Sequence, residues 1–208
     1  MKKLRALAVA AAAAALTLLT AVPANAVTLN YEYDANGWTH IHSTDSDLWI
    51  KPTKMQLAIQ GADGTFTGHM PISPADTKFE VLGFLPIKAQ VNFEEAAPLD
   101  GGVIRVGNIA RVESTASYYI RLSNVLIGGI PSPVGSNCRT KDPVTLNVST
   151  PAGEIFNIAT GGNLAGSFTI GDFEHCLLNT LIINQLVPGD GNMTLAVSNA
   201  KFISATNP

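Results

Sequence analysis

The chain has 208 residues, with 13 Lys and Arg against 16 Asp and Glu and a formal net charge of −3. Lys2, Lys3 and Arg5 lie in its first five residues, so the chain beyond residue 26 carries −6. An acidic chain with no Lys/Arg cluster excludes nucleic acid and anionic membrane surfaces as electrostatic partners. A hydrophobic share of 46% excludes a disordered polar chain.

The first 26 residues read as a leader. A basic head is followed by an apolar run from Ala6 to Val22 and by Ala24-Asn25-Ala26, a small-x-small cleavage site. That is the layout of a secretory signal peptide, and it predicts an exported domain over residues 27–208. No Cys follows the leader to take a lipid, and there is no twin-Arg pair for folded export. No second apolar run reaches the ~18 residues that span a bilayer, so no transmembrane segment is predicted in the mature chain.

Short strands and turn signals then alternate. Thr28–Tyr33 and Trp38–His42 flank Asp34-Ala35-Asn36-Gly37, which predicts a hairpin, since Asn-Gly accepts positive φ. Lys54–Gln60 and Thr65–Met70 flank Gly61-Ala62-Asp63-Gly64 and predict a second. From Val81 to Phe93 apolar residues fall on every second position, with Glu80, Lys88, Gln90, Asn92 and Glu94 on the other face. Pro86 removes a ladder donor and predicts an edge or bend. Asp100-Gly101-Gly102 predicts a turn. A long strand follows, with Val112, Ala116, Tyr118, Ile120 and Leu122 inward. Val125 to Val134 is apolar but broken by Gly128, Gly129, Pro131 and Pro133, which predicts neither a regular helix nor a central strand. Val144–Thr150 and Asn163–Ile170 read as strands. Leu177, Leu178, Leu181, Ile182 and Leu186 recur near helical spacing, predicting a helix from about Glu174 to Val187 capped by Asp172. Gly189-Asp190-Gly191-Asn192 then predicts a turn into a last strand, Met193–Ser198. The pattern is all-β: a single β-sandwich or barrel-like domain with one short helix in its C-terminal region.

Cys138 and Cys176 are the only cysteines. Export places both in an oxidising compartment, which predicts one disulfide, worth ~4 kcal/mol on the chain-entropy model. The competing reading makes Cys176 a thiol nucleophile beside His175, but adjacent residues do not face each other.

Several segments resemble small exported all-β proteins of unknown function found in actinobacteria. They are Phe84-Leu85-Pro86-Ile87, Pro133-Val134-Gly135-Ser136-Asn137-Cys138-Arg139-Thr140, the run from Gly161 to Ile170, and the Cys176 segment ending in Leu186-Val187-Pro188-Gly189. The resemblance covers roughly residues 77–198. It implies export, an all-β fold and the Cys138–Cys176 pair, and no reaction.

Candidate sites compete with plainer readings. His40 and His42 leave one face of a strand, with Asp45 and Asp47 following, and this set suggests Zn²⁺ or Cu²⁺. The plainer reading is a solvated face near Trp38 and Trp49. Asp34, Asn36, Asp45, Asp47, Asp63 and Asp190 suggest Ca²⁺, but Asp and Asn also suit turns for backbone reasons. No G-x-S-x-G, H-E-x-x-H or P-loop is present. Glu94-Glu95 reads as a solvated strand end, and His69, His175 and many Ser could meet in space, as is true of almost any chain. Val125, Leu126, Ile127, Ile130 and Val134 form a candidate apolar contact loop for lipid or protein, unless the loop closes the core. The expectation is an exported non-catalytic protein without a cofactor, acting at the cell envelope through surface, glycan or protein contact. The alternatives are a carrier with an apolar cavity and a hydrolase with a dispersed site.

Overall fold

The computed structural model describes residues 27–81, 83–106 and 109–207. The leader, residues 1–26, lies outside them. In chain order the elements are β1 (Thr28–Ile41), a 3-10 turn (His42–Thr44), β2 (Ser46–Gln60), β3 (Thr65–His69), β4 (Ala75–Val81), β5 (Leu85–Val106), β6 (Ile109–Ile127) and β7 (Ile130–Pro131). There follow β8 (Arg139–Thr140), β9 (Val144–Ser149), β10 (Gly162–Ile170), β11 (Phe173–Glu174), α1 (Thr180–Leu186) and β12 (Gly189–Thr206).

The strands form one antiparallel sheet that closes on itself. Neighbours run β6-β9-β10-β12-β1-β2-β3-β5, and β5 pairs back onto β6. Closure into a barrel removes most exposed strand edges. At one end β4 extends β5, and β8 with β11 extend β6, so the barrel opens into a short sandwich capped by α1.

Long strands replace three expected turns. Asp34–Gly37 lies inside β1, where a register shift between Ala35 and Gly37 makes a bulge against β2 at Pro52, a residue with no ladder donor. A Cβ at Gly37 would overlap the Thr194 carbonyl oxygen, so glycine serves close strand approach there. Asp100-Gly101-Gly102 likewise continues β5, where a side chain on Gly101 would strike Phe66 and the Glu113 carbonyl. Gly189–Asn192 opens β12 instead of turning. The Gly61–Gly64 hairpin forms as expected, with Asp63 accepting from the Thr65 N–H at 2.9 Å.

The segment after β6 is a hairpin too. Val125–Ile127 ends β6, Gly128 and Gly129 both take positive φ, and Ile130–Pro131 returns as β7. Val125 is therefore a strand residue, contrary to expectation. Asn124 at φ 51° shifts the alternation, so Leu122 and Val125 both face inward.

The helix is shorter than its periodicity suggests. Phe173–Glu174 pairs with β8, and His175 and Leu177 have positive φ, which no α-helix tolerates. Asp172 is not a cap. A 3-10 turn at Leu177–Asn179 leads into α1 instead. Asn184 holds the helix down: its amide oxygen accepts from Phe173 N–H at 2.7 Å and its NH₂ donates to Phe173 O at 3.0 Å.

The core fills the barrel with Tyr33, Ile50, Leu57, Phe66, Tyr118, Leu164 and Phe168 among others. Both buried phenols are satisfied: Tyr33 donates to Ile158 O and Tyr118 to Met70 O, each at 2.8 Å. Burial raises both phenol pKa values above their ordinary range, with Tyr31 adding to the shift at Tyr33 and Glu95 at Tyr118. The unfolded chain ionises first, so stability is full below about pH 10 and falls as pH climbs from there. Melting temperature across an alkaline series is expected to stay flat and then drop, and to drop less in Tyr33→Phe/Tyr118→Phe. An equal drop in that variant would remove the two phenols as the cause.

Candidate functional site

The disulfide forms as expected. Cys138 and Cys176 are bonded and fully buried, with Cα atoms 4.3 Å apart. This excludes a thiolate role for Cys176, because no free cysteine remains.

The outer face of β2, β1, β12 and β10 carries the most distinctive set of side chains. Trp38 and Trp49 sit directly opposite each other across β1 and β2. Their rings lie 6.1 Å apart at 26° and remain 56% and 45% exposed. Thr194 of β12 continues this row beside Trp38. The next outward row reads Asp47, His40, Asn192 and Ser167 across the same four strands. Four strands at ~4.8 Å spacing make a platform ~14 Å wide.

Hydrogen bonds organise the polar row. His40 Nδ1 meets Asp47 Oδ1 at 2.8 Å, and its Nε2 faces Asp45 Oδ1 at 3.7 Å. Asn192 Nδ2 lies 3.1 Å from His42 Nε2. Asp190 accepts from the Thr169 hydroxyl at 2.7 Å.

His40 and His42 do come together, with ring centroids 5.3 Å apart. Their nitrogens, however, are engaged by carboxylates and an amide. Among the described residues no group of three or more His, Cys, Asp or Glu is arranged to hold a metal ion. The carboxylates suggested for Ca²⁺ are spent likewise. Asp34 lies in a strand, 2.6 Å from Lys54 Nζ and 2.8 Å from Asn199 Nδ2; these bonds hold its carboxyl below the usual range. Asp63 is held low by the backbone N–H and hydroxyl of Thr65.

No family model, no curated protein and no solved structure matches the chain. The side chains themselves carry what can be said of the site.

Glu94 and Glu95 are mid-strand. Glu94 pairs with Arg121 at 2.6 Å, and Glu95 receives the Met70 N–H at 2.7 Å and His69 Nδ1 at 2.9 Å. The apolar loop is split: Val125 and Val134 are buried, Leu126 and Ile127 half-buried, and Ile130 exposed. The interior holds apolar cavities of about 60, 40 and 20 Å³, against the roughly 300–1,000 Å³ of a ligand pocket. The largest lies under α1 and touches Thr77, whose buried hydroxyl has no partner among the described residues.

The platform was not assembled from the sequence, though a signal exists. Trp38-x-His40 and Asp47-x-Trp49 are mirror images about Ser43-Thr44. A hairpin centred there places both pairs in register.

Proposed function

We propose that this is an exported, non-catalytic binding protein that works at the cell envelope or outside it and contacts glycan through the Trp38–Trp49 platform. The exposed, stacked tryptophan pair beside a row of Asp47, His40 and Asn192 carries this reading. A pyranose ring presents an apolar C–H face and a rim of hydroxyls. Indole faces cover the first, and carboxylate, imidazole and amide groups hydrogen-bond the second. The open, flat form suits a chain laid across the strands better than a small molecule enclosed by them. The leader and the buried disulfide support export, since disulfides persist in oxidising compartments.

The test is unusually clean, because Trp38 and Trp49 are the only tryptophans in the chain. Tryptophan emission, excited selectively over tyrosine, therefore reports on this surface alone. Titration of the chain from Val27 with a panel of soluble polysaccharides is expected to shift the emission. Trp38→Ala is expected to weaken binding by about tenfold or more. No spectral change and no retardation in affinity electrophoresis with any polysaccharide would reject the reading.

A further inference from the structure

One pole of the barrel carries an apolar cluster. Three segments meet there: Gly83–Leu85 between β4 and β5, Gly128–Pro131 between β6 and β7, and Leu177–Ile182 entering α1. The Gly128 N–H donates to Pro86 O at 2.8 Å and joins the first two. Asn179 joins the third to them, donating to Pro133 O at 2.7 Å and lying 3.3 Å from the Ser132 hydroxyl. None of the three segments contains a charged residue.

Their apolar side chains point out. Leu178 is 96% exposed, Leu181 84%, Phe84 73% and Ile130 71%. In α1 only Ile183 is buried, although the segment has the apolar content of a core helix. The largest apolar patch on an ordinary monomer is roughly 300–600 Å² and is often functional. Here four large side chains project from three separate elements at one end.

Charges of both signs surround the cluster. Asp76, Lys78 and Glu80 are on β4 and Lys88 is on β5, with Lys78 directly opposite Lys88. Glu174 and His175 precede the third segment. Lys78 and Lys88 lie three to four residues from the hairpin tip, ~10 Å along the strand, and Glu80, opposite Pro86, lies one to two residues from it, ~5 Å along. A mixed-sign rim complements headgroups that themselves carry both signs, and it gives no preference for an anionic surface.

We propose that this pole docks shallowly on a lipid bilayer. Phe84, Ile130, Leu178 and Leu181 enter the acyl boundary and the rim rests among the headgroups. Interfacial elements bury their apolar face ~5–10 Å deep, which matches the setback of the rim. A fluid surface adapts to protruding aliphatic side chains, whereas protein interfaces are anchored mainly by Trp, Tyr and Arg and seldom by Leu. The surface is distinct from the Trp38–Trp49 platform, so the two proposals stand separately.

The experiment is co-sedimentation of the chain from Val27 with palmitoyl-oleoyl phosphatidylcholine vesicles, with a second arm doped with phosphatidylglycerol. Binding is expected in both arms, with little change between about 50 and about 500 mM NaCl. Leu178→Ser/Leu181→Ser is expected to reduce partition roughly tenfold or more at unchanged melting temperature. Phe84→Ser, on a separate hairpin, gives the same direction independently of the helix. Trp38→Ala is expected to leave partition unchanged. Absence of binding, binding by the double variant equal to wild type, or binding that requires phosphatidylglycerol and vanishes with salt overturns the proposal. A dimer in sedimentation that the double variant dissociates also overturns it, and assigns the pole to a second copy of the chain.

Discussion

Replacing Cys138 and Cys176 with serine is expected to cost about 2–5 kcal/mol of stability. Bridging Cys138 to Cys176, 38 positions further along the chain, limits the unfolded ensemble, and in the folded state the effect is local. The flap made by β8 and β11 is weakly attached. β8 meets β6 at the single pair Arg121–Arg139, and β11 meets β8 over two residues. The Leu122 N–H to Cys138 O bond at 2.8 Å adds one more tie. Without the disulfide, the chain from Cys176 into α1 hangs mainly on Asn179 and Asn184. Denaturant midpoints with and without reductant measure the effect. A loss under about 1 kcal/mol would show that side-chain packing holds the flap by itself.

Tyr118→Ala is expected to cost about 3–5 kcal/mol, the range for a buried aromatic truncated to Ala. Tyr118 sits where β6 is paired on both sides, to Glu95 of β5 and Val144 of β9. Its ring meets Phe93 edge-on at 6.4 Å. The hydroxyl closes the carbonyl of buried Met70, so Tyr118→Phe isolates a second quantity. It keeps the ring and strands that carbonyl, at about 1–3 kcal/mol. Paired urea titrations of the two variants separate packing from hydrogen bonding. Equal midpoints would mean that the ring contributes nothing beyond its hydroxyl.

Strand existence was legible wherever one face is wet and one is dry. The two-residue rhythm of Leu85–Phe93 and of Val112–Leu122 matches the inward faces of β5 and β6. Strand length was not legible, because glycine carries two meanings. At Gly64 it supplies the positive φ of a turn. At Gly37, Gly101 and Gly191 it lets a neighbouring strand or ring come close, and nothing local distinguishes the cases. The leucines of residues 177–186 show the opposite failure. Their spacing is that of a buried face, yet the β11 pairing and two positive φ angles turn most of them outward. The tryptophan platform depends on register between β1 and β2. Register followed from the true turn at His42–Asp45, which an Asn-Gly signal seven residues earlier had masked.

The pairing of Thr28 with Thr206 has a bearing on how the molecule can be held. The first and last strands begin and end side by side, while the far end of β1 approaches α1 through the Ser43 hydroxyl, which donates to Val187 O at 2.7 Å. Both tails therefore leave from the pole opposite the leucines. A tether, label or fused domain at either end stands off by most of β1, a contour of ~45 Å for its 14 residues. The barrel thus carries both chain ends at one tip and the exposed leucines before and within α1 at the other.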